Sequence, residues 1–300
     1  GASPRRLPGL EYGKRVHVLR TVEQAAAIRQ VMRDGQHLAI LGGGFIGLEL
    51  AAMGRALGAM VTLIEVQRRV LMRGVPEPLA LALQTRHHYE GVNIICGVGI
   101  QAIAEDKASV SIALADGRRM DADALVVGIG AEPNTALAAE AGLVLENGIA
   151  VDDHLRTSDP DIFAAGDCCS YPVAAYGGRR VRLESWRNAQ EQGNVAAANM
   201  MGNAEAFDAV PWFWSDQYDL TLQVAGLSDG ATSTVSRSVS AEAEILFHLD
   251  ADGRLVAASG LGPGGAVARD IRLAEMLISR RAHPDPAALA DPSVKLKSLL

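Results

Sequence analysis

The sequence has little of what marks several common protein classes. No apolar run reaches the roughly 18 residues of a membrane-spanning helix, and the first residues lack the apolar segment of a secretory leader. The formal net charge of -7 argues against a nucleic-acid-binding surface, which needs a basic excess. Aromatic residues make up only 4% of the chain, so the positions of its few Trp residues are informative.

Cysteine is also scarce. Cys96, Cys168 and Cys169 form no CxxC motif and no disulfide framework. Adjacent cysteines seldom pair, because the small ring is strained, so we expect Cys168 and Cys169 to be thiols. A reducing, cytoplasmic setting is the simplest interpretation. The chain also begins without Met, and we expect it to start within a longer protein.

What is present is a large apolar content, 49% of 300 residues, enough for about two domains and perhaps three small ones. In the first half, short apolar strands alternate with helical patterns, which predicts a doubly wound parallel sheet of the α/β class. A capping box joins Thr21 and Gln24. The predicted elements are a helix over 21–33, strands over 37–41, 61–66, 92–95 and 125–129, helices over 42–57 and 78–89, and a hairpin from 109 around Asp116-Gly117.

The pattern changes after residue 148. Short strands lead to Gly166-Asp167, and a helix is predicted over 186–201 with Ser185 as its N-cap. A third region begins at Pro211 and contains alternating strands over 245–249 and 254–258, followed by an amphipathic helix over roughly 267–279.

A glycine motif carries the main functional signal. Gly42, Gly44 and Gly47 form GxGxxG directly after a strand and at the start of a helix. Such a turn lets the backbone approach a pyrophosphate, and the helix N-terminus offers it N–H groups and a partial positive charge. Glu65 ends the next strand, where we expect it to accept hydrogen bonds from the adenosine ribose and to favour NADH over NADPH. Arg68 and Arg69 lie close by and would weaken that preference.

Two further positions belong to the same region. Glu49 lies early in the helix, where it would contact the nicotinamide carboxamide, although a helix dipole alone favours a carboxylate there. Gly130 follows the last strand of the sheet, and ligands bind at the carboxyl ends of such strands. We therefore expect Gly130 to line the cofactor cleft.

Several segments together resemble one family, the single-component flavoprotein reductases of ferredoxins, within the FAD-dependent pyridine nucleotide-disulfide oxidoreductases. The two most specific motifs for this resemblance are Val181–Gly193 and Pro211–Asp219. The matching segments are Leu19–Thr21, Gly42–Glu49 (GGGFIGLE), Val126–Asn134 (VVGIGAEPN), Thr157–Cys168 (TSDPDIFAAGDC), Val181–Gly193 (VRLESWRNAQEQG) and Pro211–Asp219 (PWFWSDQYD).

The resemblance implies an enzyme that passes electrons from NADH through FAD to a [2Fe-2S] ferredoxin serving an oxygenase, by hydride transfer from nicotinamide C4 to flavin N5. It implies a Rossmann-type NAD domain over 16–148, part of an FAD domain over 149–210 and a C-terminal α+β domain over 211–300, after a connector over 1–15. Such proteins begin with another GxGxxG unit, so about a hundred residues are expected to precede Gly1.

The resemblance also assigns residues to FAD. Asp167 would hydrogen-bond the ribityl chain, Arg20 would pair with the pyrophosphate, and Trp186 would open a helix directed at the flavin. Their alternatives are a turn Asp, a solvated Arg and a core Trp. The full predicted set of cofactor-binding residues is Arg20, Gly42, Gly43, Gly44, Phe45, Ile46, Gly47, Glu49, Glu65, Arg73, Gly130, Asp167 and Trp186, with no metal ligand and no acid–base residue.

Two questions stay open at this point. One concerns the partner: an acidic ferredoxin would be bound by a basic patch formed by Arg179, Arg180, Arg182 and Arg187, unless these are solvated surface residues. The other concerns the activity. The alternatives are a non-catalytic NAD-binding fragment without FAD and a flavin NADH oxidase, while the lack of CxxC disfavours a disulfide reductase.

Overall fold

The computed structural model describes residues 1–300. The strands, numbered in chain order, are β1 (Ala2–Pro4), β2 (Val16–His17), β3 (His37–Leu41), β4 (Met60–Glu65), β5 (Asn93–Cys96), β6 (Ile100–Glu105), β7 (Val110–Leu114), β8 (Arg119–Ala122), β9 (Ala124–Val127), β10 (Ala131–Pro133), β11 (Ile149–Ala150), β12 (Cys169–Val173), β13 (Arg179–Val181), β14 (Trp212–Gln217), β15 (Leu220–Gly226), β16 (Ser233–Ser240), β17 (Ala243–Leu249) and β18 (Leu255–Pro263). The α-helices are α1 (Val22–Val31), α2 (Phe45–Ala56), α3 (Glu77–Tyr89), α4 (Ala136–Glu140), α5 (Trp186–Met200), α6 (Ala268–Ser279) and α7 (Pro286–Ala290), and short 3-10 helices span Ala174–Tyr176 and Leu296–Leu299. None of the helices combines the length and the apolar character that crossing a lipid bilayer requires.

The chain divides into two compact units. The first unit holds Pro4–Ala131 together with Ser215–Asp219. The second unit holds Gly1–Ser3, Glu132–Trp214 and Leu220–Leu300. The finer predicted division of the chain, with boundaries after residues 15, 148 and 210, stays a prediction.

A five-stranded parallel sheet forms the centre of the first unit, in the order β2-β9-β3-β4-β5. Its central strands are buried aliphatic runs, as expected for a sheet that is covered on both faces. Helix α2 connects β3 to β4, and α3 connects β4 to β5. The doubly wound α/β prediction is therefore confirmed, and the predicted bounds differ from the observed ones by no more than three residues, the largest difference being at the start of α2, which the glycine turn precedes.

The parallel register decides which side chains can meet. Leu41 pairs with both Ile64 and Val127, and Glu65 pairs with Cys96. The carboxyl ends of β3, β4, β5 and β9 therefore lie along one edge of the sheet, where ligands bind in folds of this kind.

A second, antiparallel sheet of the first unit has the order β6-β7-β8. The hairpin of β7 and β8 was predicted from its alternation and its Asp116-Gly117 turn. The sequence pattern did not indicate β6, because its side chains are small or mostly exposed and give no clear period of two.

The second unit contains a small sheet, β11-β12-β13, with α5 packed beside it. Helix α5 begins at the predicted N-cap, since the Ser185 hydroxyl accepts a hydrogen bond from the Asn188 N–H. The core of this part includes Val151, Tyr171 and Phe207, whose two rings meet edge to face at 5.2 Å.

The C-terminal part of the second unit is an antiparallel sheet in the order β14-β15-β18-β17-β16, which α6 covers. Phe247, Ile271 and Leu277 are fully buried in the core between this sheet and α6. The predicted α+β architecture is confirmed. The bounds of β14, β15 and β16 were not predicted, because these strands are rich in Ser, Thr, Gln and Trp and have no continuous apolar run.

The first fifteen residues, predicted to be a connector, contain a regular element that the prediction did not include. Strand β1 forms there and pairs with β10. Its partner lies far along the chain, so no local pattern could have indicated this pairing.

Candidate functional site

The glycine-rich turn after β3 is closely packed on one side. Gly42 has a φ of 111°, a backbone conformation that few residues except glycine adopt. A Cβ at Gly42 would lie 2.8 Å from the carbonyl carbon of Gly128, and one at Gly47 would overlap the carbonyl oxygen of Gly42. These two glycines are therefore required by close approach of backbone to backbone.

Gly44 is open by contrast. A Cβ added there would have no heavy atom within 4 Å. Gly44 is also the N-cap of α2, no side chain caps this helix end, and the first turn contains no acidic residue. The turn thus presents an open, positively polarised helix end, the arrangement that binds phosphate groups in many proteins.

Glu65 lies against the same turn. One carboxylate oxygen accepts a hydrogen bond of 2.6 Å from the Gly43 N–H, and the other accepts one of 2.7 Å from the Gln67 N–H. Each oxygen can accept a second hydrogen bond, so the carboxylate can still receive ribose hydroxyls. The structure therefore brings Glu65 and the glycine turn together, as expected.

In the loop after β4, Arg69 differs from the expectation that it would weaken the preference for NADH over NADPH. Arg69 donates to the carbonyls of Val70, Leu71 and Val75, and its side chain is only 11% exposed. It is therefore not free to compensate the charge of a 2′-phosphate. Arg68 is exposed and lies 4.0 Å from a Glu77 carboxylate oxygen.

Arg73 lies in the same loop and is exposed. The loop is held to the glycine turn, because the Leu71 N–H donates to the Gly43 carbonyl at 2.9 Å. Leu71 adopts a φ of 50°, which is uncommon for a residue other than glycine. Arg73 therefore extends from a loop whose backbone is tied to the turn.

The segment after β9 completes this edge of the sheet. The Gly128 N–H donates to the Leu41 carbonyl at 2.7 Å, and the Gly130 carbonyl accepts from the Arg5 N–H at 2.9 Å. Gly130 thus follows the end of the strand beside β3, at the edge where the glycine turn and Glu65 lie. Arg20, also in the first unit, is exposed just before α1.

Cys96 is a residue that the sequence interpretation did not assign to this edge. It ends β5 opposite Glu65 in the register. Burial raises the pKa of its thiol, and the Glu65 carboxylate adds to that effect. Its position at the carboxyl end of a predicted parallel strand was the signal that could have found it.

Glu49 has partners from a distant segment. Its carboxylate accepts a hydrogen bond of 2.6 Å from the Ser215 hydroxyl. The residue as a whole is exposed, but its carboxyl group is partly covered. This burial raises the pKa of Glu49, the charge of Asp216 acts in the same direction, and the Ser215 hydrogen bond opposes both. Sequence reasoning missed Ser215, because no local signal connects residues this far apart.

Two of the residues assigned to FAD, Asp167 and Trp186, lie in the second unit, one beside a residue that contacts α5 and the other at the start of α5. Asp167 follows Gly166, whose N–H donates to the buried Gln192 side chain at 2.7 Å. Trp186 is the first residue of α5 and is 68% exposed, which excludes the core Trp alternative. Its ring meets Trp214 edge to face at 6.4 Å.

The predicted basic patch does not form a free positive surface. Each of its arginines is paired with a carboxylate, so their charges are largely compensated. The pairs are Arg179 with Asp229, Arg180 with Glu146, Arg182 with Glu184, and Arg187 with both Glu191 and Glu275.

The three cysteines are free thiols, as predicted for Cys168 and Cys169. Burial raises the pKa of Cys169 to about 12. Cys169 is therefore protonated at neutral pH, and a thiol in this state is a poor nucleophile for disulfide exchange.

Comparisons with known proteins match both halves of the chain. Residues 1–193 match the family described as pyridine nucleotide-disulphide oxidoreductase, and residues 212–300 match the family described as reductase C-terminal. The anthranilate 1,2-dioxygenase system ferredoxin--NAD(+) reductase component of Burkholderia cepacia is 43% identical over 97% of this chain and 71% of its own length. Putidaredoxin reductase of Pseudomonas putida is 35% identical over 100% of this chain and 72% of its own length. The crystal structure of the covalent putidaredoxin reductase-putidaredoxin complex superimposes with a TM-score of 0.92 at 35% identity, covering 100% of this chain and 72% of that one.

Proposed function

Because this chain belongs to the pyridine nucleotide-disulphide oxidoreductase family, we propose that it is an NADH:ferredoxin oxidoreductase that passes electrons from NADH through FAD to a [2Fe-2S] ferredoxin serving an oxygenase. The observation that carries this proposal is the glycine turn over 42–47, open at Gly44 and flanked by the Glu65 carboxylate. That combination suits a dinucleotide, and the opening at Gly44, where an added Cβ would meet no heavy atom within 4 Å, is not required by the packing of the turn.

For NADH, the proposed contacts divide along the dinucleotide. The turn from Gly42 to Gly47, including Phe45 and Ile46 at the start of α2, would hold the pyrophosphate. Glu65 would accept hydrogen bonds from the adenosine ribose, with Arg73 close to that end. Glu49 and Gly130 would lie toward the nicotinamide end.

For FAD, the proposed contacts are made by residues whose individual chemistry suits the group. Asp167 is partly exposed and can accept from ribityl hydroxyls, and the N-terminus of α5 at Trp186 offers a partial positive charge. Arg20 is exposed and suits a pyrophosphate. When bound, FAD supplies the exchange between two-electron and one-electron transfer.

The thiols support the ferredoxin route over disulfide chemistry. The adjacent cysteines are both buried, and Cys169 has a pKa raised to about 12, so neither forms an accessible redox pair. The relatives at 43% and 35% identity are named as reductases of ferredoxin and of putidaredoxin, which supports a ferredoxin partner. Three free thiols also support a cytoplasmic location, where such thiols persist.

The test is reduction of cytochrome c by NADH with the 300-residue chain, after incubation with FAD, in the presence and absence of a [2Fe-2S] ferredoxin. We expect flavin absorption bands in the protein and a rate that depends on the ferredoxin. NADPH in place of NADH is the matched control. A rate that ignores the ferredoxin would contradict the partner, and a colourless chain that still binds NADH would support the alternative of an NAD-binding protein without FAD.

A further inference from the structure

Within the first unit, a continuous set of hydrogen bonds connects Glu49 to Tyr218 through His87, which lies near the C-terminal end of α3. The Tyr218 hydroxyl lies 3.1 Å from His87 Nδ1, and His87 Nε2 lies 2.9 Å from Gln217 Oε1. Gln217 Nε2 lies 3.1 Å from the Ser215 hydroxyl, which lies 2.6 Å from Glu49 Oε1. We call these five residues the Glu49 chain. Its three central side chains are almost completely buried.

The chemistry of the groups gives the Glu49 chain a direction. An amide oxygen can only accept, so His87 Nε2 must carry the proton that it donates to Gln217. Neutral His87 then accepts at Nδ1 from the Tyr218 hydroxyl. The Gln217 amide donates to Ser215, whose single hydroxyl proton is donated to Glu49. All four donors therefore point toward the Glu49 carboxylate, and hydrogen bonds aligned in one direction polarise and strengthen one another.

The surroundings keep His87, in the middle of the Glu49 chain, uncharged. Burial lowers the pKa of His87, and the positive Arg86 and the neighbouring His88 also lower it, while the Gln217 hydrogen bond and the charge of Glu90 act in the opposite direction. His87 is therefore neutral at neutral pH, as the direction of the chain requires.

Tyr218, at the outer end, remains a donor for a similar reason. Burial raises the pKa of its hydroxyl to about 12, with a further contribution from Glu90. The Arg86 guanidinium stacks over the Tyr218 ring at 4.9 Å and is paired with Asp219 and Glu90. The start of the chain is thus fixed in place.

The backbone of residues 215–219 explains how the donors are aligned. Ser215 and Gln217 are two positions apart on β14, so their side chains project from the same face of the strand. At Tyr218 the backbone turns, with a φ of 59°. This conformation costs energy for an aromatic residue and persists only where the surrounding structure holds it. The segment is therefore held in one conformation that aligns Ser215, Gln217 and Tyr218.

We propose that Ser215, Gln217 and His87 are positioning residues that hold the Glu49 carboxylate ionised and aim its second oxygen at the carboxamide of the nicotinamide. This inference rests on the proposed NADH function, since it concerns the same site. Ser215 occupies one oxygen of Glu49, which leaves the other to accept from the carboxamide N–H. Only the ionised carboxyl group accepts on both oxygens, so NADH binding should weaken as Glu49 takes up a proton.

The test compares Ser215→Ala with Ser215→Thr, which keeps the hydroxyl, and with Ser259→Ala, which removes a buried hydroxyl of the second unit. Two quantities are measured against pH: the carboxyl carbon signal of Glu49 by NMR without nucleotide, and the dissociation constant of NADH by fluorescence. We expect Ser215→Ala to raise the pKa of Glu49 by about one to two pH units and to shift the acid-side loss of NADH binding by the same amount. Ser215→Thr should restore wild-type behaviour, and Ser259→Ala should not differ from wild type.

Other results would overturn the inference in distinguishable ways. If Ser215→Ala leaves the pKa of Glu49 and the pH dependence of NADH binding unchanged while NADH still binds, the positioning role fails and the proposed function stands. If wild-type protein binds no NADH at any pH, the proposed function fails and the positioning role with it. In wild-type protein, imidazole nitrogen NMR should show the proton of His87 on Nε2, and a proton on Nδ1 would refute the direction of the chain even if no variant folded.

Discussion

Replacing Gly44 by Ala separates nucleotide binding from folding more cleanly than any other change at the glycine turn. The backbone of Gly44 has a φ of -82° and a ψ of -172°, values that alanine adopts without strain. A methyl group there would meet no heavy atom within 4 Å. The protein should therefore fold normally, with a loss of at most about 1 kcal/mol from the poorer helix N-cap.

The effect on NADH should be much larger than the effect on stability. The methyl group would project into the space where the pyrophosphate must approach the start of α2, and it would separate the phosphate oxygens from the backbone N–H groups. Loss of one such charge-assisted hydrogen bond is worth roughly 1.5–3 kcal/mol, which corresponds to a fall in affinity of about 10-fold to 100-fold.

Gly47→Ala is the comparison variant, because at this position there is no open space for the added methyl group. The added Cβ would overlap the carbonyl oxygen of Gly42 and lie 3.2 Å from its carbonyl carbon. Backbone cannot rotate aside as a side chain can, so we expect a loss near 3 kcal/mol, the upper end of about 1–3 kcal/mol for overpacking. That loss would lower the melting temperature by roughly 5–10 °C.

Fluorescence titration with NADH and thermal unfolding of the same samples decide between these outcomes. We expect Gly44→Ala to lose affinity with a nearly unchanged melting temperature, and Gly47→Ala to lose both. If Gly44→Ala binds NADH as tightly as wild type, the pyrophosphate does not lie against this turn, and the assignment of the dinucleotide site is wrong.

Two further predictions concern charge and pH. Glu65→Ala should lower NADH affinity by about 10-fold, as expected for the loss of hydrogen bonds to a charged group, and should reduce the preference over NADPH. Glu140→Ala, which removes an exposed carboxylate of α4 in the second unit, serves as the control, and an unchanged ratio of the two dissociation constants would disprove the role of Glu65. His248 is 5% exposed and burial lowers its pKa from 6.5 to about 4. As pH falls, the unfolded state takes up a proton on His248 before the folded state does. The stability that depends on a neutral His248 is therefore fully present above the pKa of the unfolded state, and it is lost as pH falls toward the pKa of the folded state. Denaturant unfolding between about pH 7 and pH 4.5 should show that His248→Gln removes about 2–3 kcal/mol of the acid destabilisation, and an identical pH profile in the variant would refute this.

Local patterns were sufficient wherever a signal lies within one or two turns of chain. Thr21 and Gln24 form the predicted capping box, with both reciprocal hydrogen bonds present. The apolar runs of β3 and β4 and the glycine turn between β3 and α2 lie where the pattern placed them. Each of these features depends on backbone geometry and on burial of consecutive residues, which neighbouring residues determine.

Features that depend on a distant partner were not predictable. Strand β6 is recognisable only through its pairing with β7, and β1 only through β10. Of the four arginines read as a basic patch, Arg179 and Arg180 pair with carboxylates of other segments, and Arg187 pairs with the distant Glu275 as well as with the nearby Glu191. Charge in a sequence is a count, whereas the field at a surface depends on which charges fold together.

The candidate site divides in the same way. The sequence alone determined that a dinucleotide-type turn is followed by an acid at the end of the next strand, because parallel strands must end at a common edge. Only the tertiary structure decided that Ser215 reaches Glu49 and that Gln217 and His87 extend the contact. Those partners come from segments that are far apart along the chain, and the direction of their hydrogen bonds follows from packing that no local pattern encodes.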